Sequence, residues 1–447
     1  MPRACSSARS RSRVPVRDEH WLILAHAFNM DGRAASHTIT DKIPHLVRQG
    51  ITPIVLSAIT GRRDTVIEHQ QLLPLGPAAL RFDLRHVLRR KLPNRIAYNA
   101  VLGLISLVLL PFYLLEKLYM DREPHWSWGF SAYLRGARII RKRRPAVIYS
   151  TGGANSAHWA AEKLARRFNL PWIAEIHDPM GIAGAEGRRQ EFAYELEGRI
   201  CDRADVAIWF TDEALAQAKA RNPALADRGH VMLPGADAPP TARIAWRRGP
   251  KFVIGHFGSL SPTRNLGVVA QALQQLIAKE PALAEVVRLE IYGSDLDTVS
   301  REALRMLAAG VVETKGRLER DPATGESGRD RVLKRMNAVD CLLLLHGTEP
   351  FCAEYIPSKM YEYLWTQRPI LALVWRNPQM TRMLDELGHV PVAADNATAV
   401  ESALHWLVER WKRGDLGDSG RPSPYTVEAA VRQLVGWGRE AAARRGT

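Results

Sequence analysis

The sequence is poor in cysteine and shows no obvious arrangement of residues for holding a metal. Its four cysteines form no C-x-x-C pair, and no D-x-D pair lies in a context suited to a metal clamp. Neither a disulfide framework nor a zinc site is therefore indicated, and a reducing compartment is favoured. Residues 1–17 contain no apolar stretch of the kind found in signal peptides, so they are predicted to form a disordered basic tail.

The length and charge indicate a folded protein of two domains with an anionic partner. The 447 residues suit two domains of about 200 residues each. The net charge of +15 favours nucleic acid, an anionic membrane surface or phosphorylated substrates. Nucleic acid is not expected, because the basic residues surround an apolar run and are not interleaved with stacking aromatics.

Short apolar runs alternate with helical patterns along the chain, as in doubly wound α/β domains. The predicted divisions are a first domain at residues 18–238, a proline-bounded linker at 239–250, a second domain at 251–425 and a last helix at 426–447. Ligands bind beyond the carboxyl ends of the strands in such sheets. His177 and Asp178 directly follow the predicted strand 172–176, so both are expected to point into the cleft.

One segment of the first domain, Ile96 to Leu115, has no charged residue over 20 positions. A helix of this length spans about 30 Å, the thickness of a bilayer's hydrocarbon core. A span would interrupt the sheet, so the prediction is a helix or hairpin, broken near Pro111, that docks a cytoplasmic enzyme onto the membrane. The alternative is a buried helix of the first domain. Basic residues and tryptophans flank the segment: Arg81, Arg85, Arg89, Arg90, Lys91, Arg95, Trp126 and Trp128.

The stretch Cys352 to Leu371 predicts an anion site beside two carboxylates. Pro357 suits the first position of a helix, and Ser358 and Lys359 would then lie in the first turn, where phosphate is the natural guest. Glu362 would lie about 7 Å further along the helix axis, within reach of both hydroxyls of a ribose. Glu354 precedes the helix. The alternative is an amphipathic helix with Met360 and Leu364 in the core and solvated glutamates.

The spacing of Glu354 and Glu362, with the context PSKMYEYLWTQRPILA, resembles the E-x7-E donor-binding signature of GT-B glycosyltransferases of the retaining family 4 type. The resemblance implies two Rossmann-like domains facing a central cleft. It gives Glu354 the hydroxyls of the donor sugar and Glu362 the ribose. His177 would lie beside the donor sugar, with Asp178 as its neighbour.

Two loops are similar to phosphate-binding loops of the same family. Residues 258–265 resemble its G-R-x-x-x-x-K-G loop: Gly258 is kept, Ser259 stands at the first basic position, and Arg264 stands at the second. We expect Lys359 to compensate for the basic residue that Ser259 replaces. A second loop, which keeps only Gly32 and Arg33 of a glycine-rich pattern, is expected to approach donor or acceptor phosphate.

The resemblance implies a retaining hexosyltransferase that uses a UDP- or GDP-linked sugar and no cofactor. Because no D-x-D clamp is evident, the enzyme is expected to be metal-independent, with Arg264, Lys359 and the helix that begins at Pro357 neutralising the departing diphosphate. With the apolar segment, the acceptor is expected to be a polyprenyl-linked or other lipid-linked glycan, or a polysaccharide, of the cell surface, such as lipopolysaccharide, assembled at the cytoplasmic face of the membrane. Two alternatives stay open: a non-catalytic, membrane-bound partner subunit, and a nucleotide-sugar epimerase of the same fold.

Overall fold

A computed structural model describes residues 19–30, 33–120, 122–123, 125–151, 153–181, 186–239, 243–293, 295–417 and 420–446. The predicted basic tail and Gly32 lie outside these described residues.

The first domain is built on seven parallel strands in the order β3-β2-β1-β4-β5-β6-β7. The central strands are rich in β-branched and aromatic residues and are buried on both faces, as covered parallel sheets require. The order reverses between β1 and β4, which places a switch point at the carboxyl end of β1. The strands are β1 (Glu19–Ala25), β2 (Ile51–Ala58), β3 (Glu68–Leu72), β4 (Val147–Thr151), β5 (Trp172–Glu175), β6 (Val206–Trp209) and β7 (Gly229–Val231).

Helices cover both faces of this sheet. Leu22 and Leu24 of β1 belong to the core on one face, and Trp21 and Ile23 to the core on the other. The helices are α1 (Ala34–Thr40), α2 (Lys42–Arg48), α3 (Pro77–Lys91), α4 (Arg95–Tyr119), α5 (Trp128–Arg143), α6 (Asn155–Phe168), α7 (Arg188–Arg203) and α8 (Asp212–Arg221).

The second domain repeats this design with six parallel strands in the order β10-β9-β8-β11-β12-β13. Its switch point lies between β8 and β11. The strands are β8 (Phe252–Gly258), β9 (Val287–Gly293), β10 (Val312–Gly316), β11 (Cys341–Leu345), β12 (Ile370–Val374) and β13 (Val390–Ala393). The helices are α9 (Gly267–Lys279), α10 (Leu283–Val286), α11 (Thr298–Leu304), α12 (Gly328–Ala338), α13 (Ser358–Leu364), α14 (Pro378–Glu386) and α15 (Ala397–Arg413). The predicted fold class, two Rossmann-like α/β domains, is confirmed.

The last helix, α16 (Val427–Arg445), returns to the first domain. Its apolar residues Val431 and Leu434 share a core with Trp21, and a Cβ at Gly438 would come within 2.5 Å of the Trp21 ring. Gly235 precedes the connection between the domains and has φ +65, with Thr426 backbone atoms within 3 Å of where its Cβ would be. Only glycine fits such a close approach without strain.

Helices α3 and α4 form a hairpin joined at residues 92–94, and α4 is exposed along its length. The expected break near Pro111 is wrong: α4 runs from Arg95 to Tyr119 with Pro111 inside it. The alternative of a buried helix is also wrong, because no residue of α4 is buried. By length and composition α4 could cross a membrane, with a mean hydropathy of 2.0.

Candidate functional site

The two domains face each other across a cleft formed at the carboxyl ends of their strands. Two hydrogen bonds connect the walls beside α8. The hydroxyl of Thr211, the N-cap of α8, donates to the backbone oxygen of Glu354 at 2.6 Å. The N–H of Asp212 donates to the side-chain oxygen of Gln379 at 2.9 Å. The Glu354 segment therefore lies directly against the first domain.

The loop after β8 brings the predicted phosphate residues together. The Arg264 guanidinium donates to the backbone oxygen of Ser259 at 3.1 Å and to its hydroxyl at 2.9 Å. Gly293 has φ +145, and a Cβ there would overlap the carbonyl of Gly258. The loop therefore packs closely against Gly293. The side chain of Arg264 is held by Ser259, the residue at the position of the family's first basic residue.

Arg264, in the loop after β8, and Lys359, on α13, both lie close enough to His256 to lower its pKa. Burial lowers the pKa of His256, the last but two residue of β8, to about 4, and the charges of Arg264 and Lys359 lower it further in the same sense. Burial likewise lowers the pKa of His346, which follows β11, to about 4, and the charge of Arg264 acts in the same direction. Both rings are therefore neutral at pH 7 and add no positive charge beside Arg264 and Lys359.

Helix α13 begins one residue later than predicted. Pro357 is its N-cap, with φ −56 and ψ 127, and Ser358 is its exposed first residue. The helix has seven residues, so its dipole is short and the Lys359 side chain is the main charge at its start. Met360 and Leu364 are buried, as the amphipathic alternative required.

Glu362 is not solvated, in contrast to that alternative. Its side chain is 15% exposed and contacts two cations: Lys359 Nζ at 2.7 Å and Arg329 Nη2 at 3.5 Å. Burial alone would raise the pKa of Glu362, but Lys359, Arg329 and His37 outweigh it and lower the pKa. The carboxylate is thus ionised and ready to accept hydrogen bonds.

Arg329 was not predicted, and it connects the domains beside this carboxylate. Its guanidinium, on α12, donates to both carboxylate oxygens of Asp41 between α1 and α2, at 3.0 and 2.8 Å. The Arg329 side chain therefore spans the cleft between Asp41 and Glu362. The sequence offered one weak signal, the run of charges from Glu319 to Arg331, which reads equally well as a solvated loop.

Glu354 lies at the end of a 3-10 turn, Pro350–Glu354, and faces the first domain. Burial raises its pKa, and Arg221, Glu197 and Glu213, from α7 and α8, supply the charges that act on it. Its Oε2 is buried with no hydrogen-bond partner among the described residues. An unpaired buried carboxylate oxygen is costly, so this atom is suited to accept from a ligand hydroxyl.

His177 is held firmly at the carboxyl end of β5. Its Nε2 lies 2.9 Å from both Thr151 Oγ1 and Glu175 Oε1, and its ring stacks on Phe210 at 4.8 Å. Its neighbour Asp178 is exposed and joins none of these contacts. The structure thus places His177 at the cleft with a fixed ring, and leaves Asp178 at the rim.

Behind His177 lies a buried ion pair that sequence reasoning missed. Glu175 accepts from Lys42 Nζ and from the hydroxyls of Tyr149 and Thr151, the latter two at 2.7 Å. The Lys42 and Glu175 side chains are both fully buried. Burial would raise the pKa of Glu175, but Lys42 and His177 outweigh it and lower the pKa. The available signal was a charged residue within the apolar strand 172–176.

The residues predicted for the glycine-rich loop are only partly described. Arg33 is the exposed N-cap of α1, and its backbone oxygen accepts from the N–H groups of Ser36 and His37. Arg33 lies on the first-domain side of the cleft, near His26 at the end of β1, as the electrostatic effect of Arg33 on His26 shows.

One group of side chains in the described part of the chain has the spacing of metal ligands. Ligand atoms of Glu280, His405 and Glu409 lie within 4.8 Å of one another. Lys412 Nζ, however, contacts Glu280 at 2.5 Å and Glu409 at 2.9 Å, and thereby already offsets one of their two negative charges. Because Glu280 caps the far end of α9, the group lies at the edge of the sheet opposite the cleft.

Comparison with known proteins agrees with this architecture. Residues 78–235 match the family model described as glycosyl transferase 4-like domain. No curated protein matches the sequence. The resemblance to GT-B glycosyltransferases of the family 4 type is confirmed.

Three solved structures share the fold at low sequence identity. Anabaena HepE in complex with UDP is 12% identical with a TM-score of 0.53, over 95% of this chain and 99% of that one. TarM is 9% identical with a TM-score of 0.63, over 95% and 100%. The α,α-trehalose 6-phosphate synthase of Burkholderia multivorans is 13% identical with a TM-score of 0.61, over 96% and 100%. The fold of this chain is therefore GT-B.

Proposed function

We propose that this GT-B chain is a retaining, metal-independent glycosyltransferase that moves a sugar from a nucleotide-diphosphate sugar to a lipid-linked or polysaccharide acceptor in cell-surface glycan biosynthesis. The observation that carries the proposal is the grouping of Arg264, Lys359 and Glu362 on the second-domain wall of the cleft. Two cations suit a diphosphate, and an adjacent ionised carboxylate suits the hydroxyls of a ribose. The nucleotide is uridine or guanosine diphosphate, and the solved complex of HepE with UDP favours the former.

In this proposal the departing diphosphate is neutralised by side chains. Arg264 offers a planar fork for two phosphate oxygens, and Lys359 leaves Glu362 to approach the same group. Glu362 then accepts from the ribose hydroxyls that replace Lys359.

The sugar end of the donor would lie between Glu354 and His177. Among the described residues, no group donates a hydrogen bond to the buried Oε2 of Glu354, and a hydroxyl of the sugar would do so. His177, held on Thr151 and Glu175, would lie beside the reacting carbon on the first-domain wall. Both residues act by positioning and electrostatic stabilisation of an oxocarbenium-like transition state.

The experiment that tests the proposal is turnover by the purified protein with a panel of nucleotide sugars, with and without a lipid extract and with EDTA. Acceptor-dependent, EDTA-insensitive release of nucleotide is expected. An altered nucleotide sugar without an acceptor identifies an epimerase, and donor binding without turnover identifies a non-catalytic partner subunit. Each of these two results contradicts the proposal.

We also propose that the hairpin of α3 and α4 holds the enzyme on the cytoplasmic face of a membrane as a peripheral protein. The support is the exposure of α4's apolar residues, among them Leu104, Leu107 and Leu118, each more than 60% exposed. A continuous exposed apolar face of this kind marks an interaction site. Arg81, Arg85 and Arg89 lie exposed at four-residue intervals on α3, which suits anionic lipid.

Replacing Leu107 and Leu114 of α4 with glutamate is expected to abolish membrane association and leave the fold intact, because neither side chain is buried. Losing two inserted leucines costs about 3–6 kcal/mol, which lowers the affinity for the membrane at least about 100-fold. Flotation with vesicles of anionic lipid measures this. The matched control is the double variant Val66→Glu and Val299→Glu, which adds the same charge at exposed valines elsewhere. An unchanged bound fraction of the α4 variant contradicts the proposal.

A further inference from the structure

One arginine in the cleft contacts carboxylates of both domains. Arg329 lies in the first turn of α12, in the second domain, and its guanidinium donates to both oxygens of Asp41, between α1 and α2 of the first domain, at 3.0 and 2.8 Å. The same guanidinium reaches Oε1 of Glu362, on α13, at 3.5 Å. The carboxylate that we assign to the ribose therefore shares its cation with the opposite domain.

The three side chains are largely shielded from water. Their exposed fractions are 22% for Asp41, 15% for Glu362 and 36% for Arg329. Burial alone would lower the pKa of Arg329, but the hydrogen bonds and charge of Asp41, together with the charge of Glu362, outweigh it and raise the pKa. The guanidinium therefore stays charged, and partly buried charges of this kind are screened by salt less than exposed ones are.

Asp41 holds Arg329 more firmly than Glu362 does. The pair with Asp41 is bidentate, which is the strong geometry for a guanidinium and a carboxylate, whereas 3.5 Å to Glu362 is at the limit of a hydrogen bond. Lys359 contacts the other oxygen of Glu362, Oε2, at 2.7 Å. If Lys359 moves to the donor diphosphate, Arg329 is the one ion-pair partner of Glu362 that remains among the described residues. Its position beside Glu362 is then set from the first domain.

We propose that Asp41 and Arg329 are positioning residues, which couple nucleotide binding at Glu362 to the contact between the two domains. Arg329 orients the Glu362 carboxylate and balances its charge, and Asp41 holds Arg329 in place from the opposite domain. Neither residue contacts the nucleotide in this arrangement. The inference rests on the proposed function, because it takes Glu362 as the acceptor for the ribose of the donor.

Coupling of this kind acts in both directions, because nucleotide binding and the domain contact are linked equilibria. With the pair intact, a bound nucleotide favours the arrangement in which the domains meet, and that arrangement in turn favours the nucleotide. The two hydrogen bonds between the walls at Thr211 and Asp212 do not involve Glu362. Breaking the Asp41 pair is therefore expected to weaken nucleotide binding and to lower the fraction of molecules in which the domains meet, without separating the domains entirely.

The test is a double-mutant cycle of Asp41→Asn and Glu362→Gln in the full chain, with the affinities for UDP and GDP measured by calorimetric titration. The side chain of Asp41 makes no capping hydrogen bond, so asparagine should leave the adjoining helices intact. Asp41→Asn is expected to weaken binding about fivefold or more when Glu362 is present, and less than about twofold in Glu362→Gln, because the amide needs no counterion. An equal loss in both backgrounds, or no loss in either, overturns the proposal.

Further variants separate positioning from a merely structural contact. Asp41→Glu keeps the carboxylate and is expected to recover most of the affinity. The matched control is Asp212→Asn, which also removes an ion pair between the domains: Asp212 lies 3.8 Å from Arg382, and both side chains are more than 60% exposed. This control should change the affinity less than about twofold, because exposed pairs contribute little. If Arg329→Ala weakens binding while both Asp41 variants bind as wild type does, Arg329 contacts the nucleotide itself and the coupling is wrong.

Small-angle X-ray scattering measures the domain contact and separates this inference from the proposed function. Without nucleotide, Asp41→Asn should have a larger radius of gyration than wild type and Asp212→Asn, and an unchanged radius contradicts the coupling. If Glu362→Gln weakens nucleotide binding and Asp41→Asn does not, the coupling alone fails. If wild type binds neither UDP nor GDP while Asp41→Asn enlarges the radius, the proposed function fails and the pair only holds the domains together.

Discussion

Replacing Lys42 with methionine is expected to lower the free energy of unfolding by about 3–5 kcal/mol. Lys42 and Glu175 are both fully buried, and among the described residues the Lys42 ammonium is the only lysine or arginine group in contact with Glu175. Methionine fills nearly the same volume without charge, so packing is largely kept. Glu175 is left as a buried carboxylate without its counterion, and that uncompensated charge destabilises the folded state.

Urea unfolding followed by circular dichroism measures the effect. The double variant Lys42→Met and Glu175→Gln should recover part of the loss, because the amide needs no counterion. The matched control is Lys279→Met, whose side chain is 66% exposed and pairs with Glu401 at 2.8 Å. An exposed pair of that kind contributes about 0–1 kcal/mol. A Lys42→Met variant no less stable than the control would show that the buried pair does not stabilise the carboxyl end of β5.

Removing Glu362 or Arg264 is expected to weaken nucleotide binding by about 10- to 100-fold each, since a hydrogen bond to a charged group contributes about 1.5–3 kcal/mol. Glu362→Ala loses the acceptor for the ribose, and Arg264→Ala loses the fork for the diphosphate. Lys359→Ala should weaken binding too, because Ser259 supplies no charge at the position that Lys359 is expected to replace.

Calorimetric titration with UDP and GDP measures these affinities. Arg432→Ala is the control: this arginine is exposed on α16 and pairs with Glu428 at 3.1 Å. Its affinity should equal that of wild type. An unchanged affinity in Lys359→Ala would refute compensation by that lysine alone, whereas unchanged affinity in all three cleft variants would place the nucleotide elsewhere.

The sequence predicted the parts of the fold that local pattern determines. Strands such as β1, β8 and β11 are apolar runs, and their order with the helices indicated two doubly wound domains. Strand β3 (EHQQL) was missed because it lies at a sheet edge and is mostly polar. Strand β13 (VPVA) was missed because it is short, contains proline and also lies at an edge. Burial on both faces is what makes a parallel strand visible in sequence.

The same distinction between local pattern and tertiary arrangement applies to the residues of the site. Arg264, Lys359 and Glu362 were predicted because their neighbours in sequence form a pattern, and their role in donor binding stays a prediction. Arg329 and Asp41 are 288 positions apart, and their contact depends on how the two domains meet. No local pattern carries that information.

The exposure of α4 shows the limit of composition. An apolar run of this length fits a core helix or a membrane helix equally well. Only the three-dimensional arrangement, in which α4 contacts α3 and leaves the domain core, separates the two.

The measurement that tests the central claim most directly is nucleotide release from a UDP-linked or GDP-linked sugar by purified wild type and Glu362→Ala, with a lipid extract as acceptor. We predict acceptor-dependent release by wild type, and at least about tenfold slower release by the variant at subsaturating donor. A wild-type protein that binds no nucleotide and releases none with any donor would contradict the account, as would a Glu362→Ala variant as active as wild type.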